Sequence, residues 1–336
     1  MTAAVGVVAG SPALPGSPEW VAEHGLSAVD TSRLAQLDAA GSDGRVYSVE
    51  GDLGDFGGLA FAERYPNRFL DMGIAEANLI GTAAGLAMRG KIAFVNTFGS
   101  FALMRACEQV RLEVAYHASN VKIVGTFTGI AAGFSGPTHH CAEDMAIARA
   151  LPGMVVLAPA DAVAAYQLTA AAARYQGPVY IRLGVDPTPQ VYDHNATFAI
   201  GGSNVLRDGG DVTIVAAGLT TVATALAAAT QLAGRGIEAR VVDLYSVKPL
   251  DRAVLVDSAR QTGLVVSIEE HSTIGGVGSA VAEVLAEELP TPVHMIGLPD
   301  EFAHEVCSYA AQLRRCGLDA DSVAATVENQ VQRWKR

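Results

Sequence analysis

Apolar positions in this chain switch between a spacing of three or four and short unbroken runs, and that alternation lays out the elements. Leu34, Leu37 and Ala40 share one helical face of 28–40, and the run 46–49 behind them predicts a short buried strand. From 73 to 88 the small residues Ile74, Ala77, Ile80, Ala84 and Ala87 recur at three and four, which predicts a tightly packed helix stopped by Arg89-Gly90. A strand over 91–96, a long helix over 101–117 and a strand over 121–126 follow. After an aperiodic segment, 129–140, rich in Gly, Ser, Pro and His, come a helix over 143–151, a strand over 155–157, a helix over 161–175 and a strand over 179–183. Alternation of this kind folds as a parallel sheet covered by helices, with sites on the loops at the strand ends.

The stretch 184–195, with Pro187 and Pro189 and few apolar residues in register, reads as a linker. A second alternating block occupies strands 212–216, 239–243, 263–268 and 293–296 and helices 222–235, 251–262 and 279–288, the last behind the glycine turn Gly275-Gly276-Val277-Gly278. The expected fold class is therefore α/β, two parallel-sheet α/β domains of which the second is smaller. The expected bounds are a flexible arm over 1–25, a first domain over 26–190 and a second over 191–336. No repeat recurs at a fixed short period, which excludes a solenoid.

Composition narrows the classes. With 336 residues, 50% hydrophobic and 17% charged, the chain can bury a sizeable core. A formal charge of −12 with scattered basic residues removes nucleic acid as a partner. Cys107, Cys141, Cys307 and Cys316 form no CxxC pair and no His/Cys ligand spacing, so neither zinc nor a disulfide framework is expected, and reduced thiols suit a cytoplasm. The apolar N-terminal start lacks a basic region and is broken by two Ser-Pro pairs, and no stretch reaches roughly 18 uninterrupted apolar residues, so no membrane insertion is expected.

Candidate chemistry gathers in the first domain. Glu76 is a lone acid among small apolar residues at the start of a helix, where the macrodipole would stabilise it as a plain terminal acid; a partly buried glutamate can also hold a proton against a ring. Phe98 and Phe101 stand just after a strand, as core or as an aromatic wall.

Taken together and in order, Asp71 to Asn78, Thr97 to Phe101, Arg105 to Arg111 and Gly129 to His140 resemble the pyrimidine-binding domain of transketolases. The second block is similar to the transketolase C-terminal domain through Val247-Lys248-Pro249-Leu250-Asp251 and Glu269-Glu270-His271 followed by its glycine turn. The resemblance covers about Val46 to Ile296. It implies that Glu76 activates thiamine diphosphate at its aminopyrimidine, that Phe98 and Phe101 wall that ring, and that Asp52 and Leu53 touch the cofactor's edge. His139, in Gly136-Pro137-Thr138-His139, falls on a substrate-facing histidine that bonds substrate oxygens and helps move protons. His140 reads as a packed loop residue, and His271 either as a contact near the site or as a residue ordering the glycine turn.

Departures matter as much. The Gly-Asp-Gly and Asn-Asn pattern that supplies Mg²⁺ ligands beside a diphosphate is missing, which places those ligands on a partner, an N-terminal subunit joined in an α2β2 heterotetramer. Where the family grips a sugar phosphate, this chain has Phe127 in place of a histidine, Phe134-Ser135 in place of an acid-aspartate pair, and Val185 in place of an arginine, with Arg182 close by. Phosphate wants charge-assisted donors, so a two-carbon ketol or acyl transfer to an acceptor without phosphate stands beside a partner that supplies the phosphate ligands. The rivals are the β subunit of a 2-oxo acid dehydrogenase decarboxylase component, a deoxyxylulose-phosphate synthase-like reaction suggested by His139-His140, and a non-catalytic scaffold subunit.

Overall fold

A capping box opens helix α1 (Ala28–Ser42): the Asp30 carboxylate accepts from the Ser27 N–H at 2.9 Å while the Ser27 hydroxyl accepts from the Asp30 N–H at 3.2 Å. The computed structural model describes residues 25–53, 59–184, 188–193 and 196–336, so the expected arm lies outside the described residues, Gly25 excepted. Strands β1 (Val46–Glu50), β2 (Phe69–Asp71), β3 (Ile92–Phe98), β4 (Val121–Thr126), β5 (Val155–Leu157) and β6 (Val179–Arg182) run parallel in one sheet. Between them lie α2 (Leu59–Arg64), α3 (Glu76–Met88), α5 (Asp144–Ala150) and α6 (Ala162–Arg174). The helical stretch 101–116, here α4, winds as π-helix over Phe101–Arg105 and Val110–Tyr116 around one α-helical segment, Cys107–Gln109.

Two features depart from the periodicity. Helix α3 begins at Glu76 rather than at Gly73, because Gly73 sits at φ +66° and Ile74 points outward, 73% exposed. The shift puts Glu76 in the first helical turn. The first sheet also has an unexpected seventh strand: its order is β10-β5-β6-β4-β3-β1-β2, and β10 (Ser246–Lys248), from the second half of the chain, pairs antiparallel with β5. Lys248 fixes this crossing by donating to the Arg149 and Leu151 carbonyls at 2.7 and 2.6 Å.

The second sheet has the order β12-β11-β8-β9-β7, from β7 (Asn204–Arg207), β8 (Val212–Ala216), β9 (Ala239–Asp243), β11 (Val265–Ser272) and β12 (Val293–Leu298). Helices α7 (Leu219–Ala233), α8 (Arg252–Thr262) and α9 (Val277–Glu288) cover it, and α10 (Tyr309–Arg315) and α11 (Ala320–Trp334) close the chain. Strands β2, β7 and β10 escape the pattern analysis because each is a short, partly exposed edge strand without the unbroken apolar run that marks the equally short β5. Among the described residues, no helix is long and apolar enough to cross a membrane.

Because β1, β3 and β4 are parallel neighbours, their C-terminal ends open at one edge, and the segments 51–53, 98–101 and 127–143 leave from that edge together. The second half of the chain holds the last of these in place. The Ser272 N–H donates to the Ala142 carbonyl at 2.8 Å, and the Glu270 carboxylate accepts from the Ile130 N–H at 2.7 Å. Gly129, at φ +66°, has no side chain to spare here: a Cβ would strike the Glu270 carboxylate.

Candidate active site

Glu76 is 2% exposed, and its position in the first turn of α3 lets the helix N-terminus favour its negative charge. Its partner arrives from the neighbouring helix. Arg105 Nη1 donates to Oε1 and Oε2 at 2.9 and 2.8 Å, and the same guanidinium lies 4.1 Å from the centroid of the Phe101 ring. Phe101 and Arg105 are four residues apart on one helical stretch, so a single face presents both ring and cation. Arg105 is missed by the sequence reading as a functional residue; the i, i+4 spacing of Phe101 and Arg105 was the signal available.

An aromatic cluster forms the opposite wall. The Phe98 and Phe101 centroids are 5.8 Å apart, Phe127 packs behind Phe98 at 4.6 Å, and the His139 ring meets Phe101 edge-on at 5.4 Å and Phe98 at 6.0 Å. The Thr138 hydroxyl engages His139 Nδ1 at 2.9 Å, which leaves Nε2 for another partner. Glu76, Phe98, Phe101, Arg105 and His139 all line one cavity of about 340 Å³, together with Gly51, Asp52, Leu53 and Thr97. Two of its supports are strained: Asp52 and Phe127, which follow β1 and β4, have φ of 55° and 54°, a region that non-glycine residues seldom occupy.

Among the candidate residues, the fold thus brings Asp52, Leu53, Glu76, Phe98, Phe101 and His139 to one cavity, with Phe127 buried against its wall. Ser135 does not line it. Its N–H donates to the Ala132 carbonyl within the turn Gly133–Ser135. The Phe134 side chain and Val185 lie outside the described residues.

Arg182, a candidate substrate ligand in the sequence, also lies elsewhere. It is 5% exposed, and its Nε donates to Asp144 Oδ2 and its Nη2 to the Glu270 carbonyl, each at 2.8 Å. Burial works against its charge, but Asp144 and the surrounding acids hold its pKa above the ordinary arginine value. Its donors serve the seam between the two halves. A guanidinium so enclosed does not reach a substrate in the cavity.

His271 is fully buried as well. Its Nε2 accepts from the Ala146 N–H at 3.3 Å, its Nδ1 meets the Ser272 carbonyl at 2.6 Å, and burial lowers its pKa, which favours the neutral ring. The neighbouring Glu269 caps α9, accepting from the Val277 and Gly278 N–H groups at 2.5 and 2.9 Å. Of the two readings of His271, ordering of the glycine turn and of the seam agrees with these bonds.

The cavity matches a small planar ring with a hydrogen-bonding edge: a buried carboxylate on one side, phenylalanine faces on another, and a histidine at the rim. Among the described residues, no group of three or more His, Cys, Asp or Glu could hold a metal ion.

Residues 23–189 match the family description "Transketolase, pyrimidine binding domain", and residues 201–323 match "Transketolase, C-terminal domain". The chain is 45% identical over 284 residues to the 6-deoxy-6-sulfo-D-fructose transketolase subunit SqwH of Clostridium sp. (strain MSTE9), covering 83% of this chain and 86% of that one. It is 39% identical over 302 residues to an apulose-4-phosphate transketolase subunit of Phocaeicola vulgatus, covering 86% and 93%. Among solved structures, a split gene transketolase described as an inactive beta4 tetramer superposes with a TM-score of 0.83 at 44% identity, over 91% of this chain and 98% of that one. The transketolase of Campylobacter jejuni shares the fold at 18% identity and a TM-score of 0.75, and this chain spans 46% of it.

Proposed function

The chain belongs to the transketolase family, and from that premise we propose that it is the pyrimidine-binding half of a split, thiamine-diphosphate-dependent enzyme whose partner carries the diphosphate-binding domain and the Mg²⁺ ligands. As a transketolase subunit it is a transferase. Thiamine diphosphate, when bound, supplies the nucleophilic carbon for moving a two-carbon ketol unit to an aldehyde. The residues of this chain prepare that chemistry. Glu76, held in the first turn of α3 and shielded from water, hydrogen-bonds a ring nitrogen and exchanges a proton with it in one fixed geometry. Phe98 and Phe101 fix the ring plane and exclude water from it. Arg105 pairs with Glu76 in the free chain and, being half-exposed, can swing out along the Phe101 face when a ring enters. His139 stands at the rim, where Nε2 can bond a substrate oxygen or pass a proton.

The observation that carries this reading is the 2% exposed Glu76 carboxylate on the same 340 Å³ cavity as two phenylalanines and a histidine. Glu76→Gln tests it. The amide keeps the size of the side chain but cannot hold the proton, so turnover of the complex reconstituted with the partner should fall about a thousandfold while circular dichroism is unchanged. Activity within about twofold of the parent would remove Glu76 from the mechanism.

A site with one wall on this chain needs the partner across the cavity mouth, and two copies of each subunit in an α2β2 heterotetramer satisfy that. Exposed Ile74, Met88, Met104, Leu112 and Tyr116, on or beside α3 and α4, supply apolar surface for the assembly. We also infer that this chain by itself favours an acceptor without phosphate. The cation on the cavity is Arg105, already committed to Glu76, and Arg182 is enclosed at the seam. The two named relatives act on substrates that carry a sulfonate or a phosphate; in an enzyme of that kind built on this chain, the anion ligands come from the partner. Reduced thiols and the lack of a membrane-spanning helix among the described residues agree with a cytoplasmic enzyme.

A further inference from the structure

At the strand ends that lead into the Glu76 cavity, helix α1 meets the sheet through five buried polar side chains: Arg33 and Gln36 of α1, Ser48 and Glu50 of β1, and Asn96 of β3. The backbone brings them together. Arg33 and Gln36 are one turn apart on α1, Ser48 and Glu50 alternate onto one face of β1, and Asn96 stands opposite Glu50 in the parallel register of β1 and β3. The Glu50 carboxylate takes both ends of the Arg33 fork, Nη1 on Oε1 and Nη2 on Oε2, the latter at 2.7 Å. Oε1 also accepts from the Ser48 hydroxyl at 2.7 Å and from Asn96 Nδ2 at 2.9 Å. Gln36 and Asn96 join their amides, Gln36 Nε2 donating to Asn96 Oδ1 at 3.0 Å and Asn96 Nδ2 to Gln36 Oε1 at 3.1 Å. None of the chemistry assigned above uses these groups.

Their place in the fold shows what they hold. Glu50 is followed directly by Gly51, Asp52 and Leu53, and Asn96 by Thr97 and Phe98, all of which line the cavity. The main chain ties these two exits together: the Gly51 N–H donates to the Asn96 carbonyl at 3.1 Å, and a Cβ on Gly51 would come within 2.9 Å of Thr97 Oγ1. Asp52, at φ 55°, keeps its strained backbone only where its neighbours over-determine it. At the far end of the same contact Ala40 and Val46 are buried and apolar, so α1 packs on β1 there without charge. A fully bonded buried network rigidifies the place where it sits, and this one sits at the exits to the cavity.

We propose that Arg33 and Glu50, through Gln36 and Asn96, are positioning residues: they lock the Asp52 turn and the Phe98 end of the aromatic wall at one separation, so that a planar ring enters a slot already shaped for it. The ring's identity rests on the thiamine reading; the lock does not. Binding is stronger with the lock because no ordering of the two strand ends has to accompany it. Without it the chain still folds, but the empty cavity samples other widths and the ring binds more weakly.

The double variant Arg33→Met/Glu50→Leu removes the pair without leaving a lone buried charge, a replacement that is often close to neutral for stability. Amide hydrogen exchange of the full chain should quicken about tenfold or more at residues 51–53 and 97–101 and stay as in the parent at β4. Calorimetric titration of the complex reconstituted with the partner, in Mg²⁺, should find thiamine diphosphate bound about tenfold more weakly, with kcat at saturating cofactor within about threefold of the parent. A pair that only stabilised the fold would move the melting temperature and leave cofactor affinity as it was. Parent-like exchange at both segments overturns the proposal, and so does quickened exchange with parent-like affinity. Should the parent complex itself ignore thiamine diphosphate, the thiamine reading fails and exchange alone decides the lock. Should the double variant fail to fold, Gln36→Met, which leaves the ion pair and unties Asn96, decides: affinity about threefold weaker is expected, and parent affinity overturns the proposal.

Discussion

Replacing Arg182 by methionine separates two roles that the sequence leaves together, a ligand for a substrate phosphate and a strut between the halves of the chain. The guanidinium is 5% exposed and serves Asp144, which is fully buried, and the Glu270 carbonyl, both at 2.8 Å. Without it, Asp144 keeps the Tyr180 hydroxyl at 2.7 Å on Oδ2 and the Cys141 thiol beside it, neither of them a cation. Breaking a buried pair from one side costs about 3–5 kcal/mol, since the remaining charge stays out of water. With an m-value of about 3 kcal/mol/M in urea, the unfolding midpoint should drop by roughly 1 M or more. The double variant Arg182→Met/Asp144→Leu should recover most of the loss, as replacing both ions with apolar groups is often close to neutral. Urea titration followed by far-ultraviolet circular dichroism reads all three. A midpoint within about 0.2 M of the parent, together with a selective loss of activity on sugar phosphates, would refute the strut and restore Arg182 as a ligand.

Calorimetry with the isolated chain should find thiamine diphosphate binding weaker than about 10 µM and insensitive to Mg²⁺, because only the pyrimidine end has its site here; tight Mg²⁺-dependent binding would reveal a diphosphate site in this chain. In the reconstituted complex, kcat/KM for ribose 5-phosphate should not exceed that for an unphosphorylated aldehyde by about a hundredfold, and a larger preference would place phosphate ligands at the site. Stability should also depend on pH through Asp243, which is fully buried, accepts from the Tyr192 hydroxyl, and is pushed by burial from 3.8 up to about 8. A carboxyl raised in the folded state stabilises fully below its unfolded value, and that contribution is lost as pH rises through about 8. Asp243→Asn should therefore flatten the fall in melting temperature between about pH 4 and pH 8, and an unchanged slope would mean another group sets it.

Much of the candidate site was legible because its residues sit at positions that local pattern marks. Phe98 and Phe101 come directly after an apolar run, Glu76 opens a segment of helical spacing, and His139 lies in an aperiodic stretch between a strand and a helix. A parallel sheet brings such strand ends to one edge, but it was the resemblance to the transketolase pyrimidine-binding domain, not the alternation, that grouped these residues into one site. The start of α3 was less legible: apolar spacing continues back to Ile74, and only the left-handed turn at Gly73 sets the boundary.

Tertiary structure decided what depends on partners distant in the chain. Arg105 could be read as a helix residue, but its pairing with Glu76 comes from two helices packing side by side. Arg182 stands in a strand whose type and burial the sequence shows, yet its donors are spent on Asp144 and on Glu270, 38 and 88 residues away, and that removes it from the cavity. The strand β10 is three residues long and gains its ladder from a sheet in the other half of the chain. Periodicity reports which face of an element is apolar, because that is set by neighbours within a turn or two of backbone. Which buried charge meets which, and which short segment completes which sheet, follows from packing whole layers together, and no local spacing encodes it.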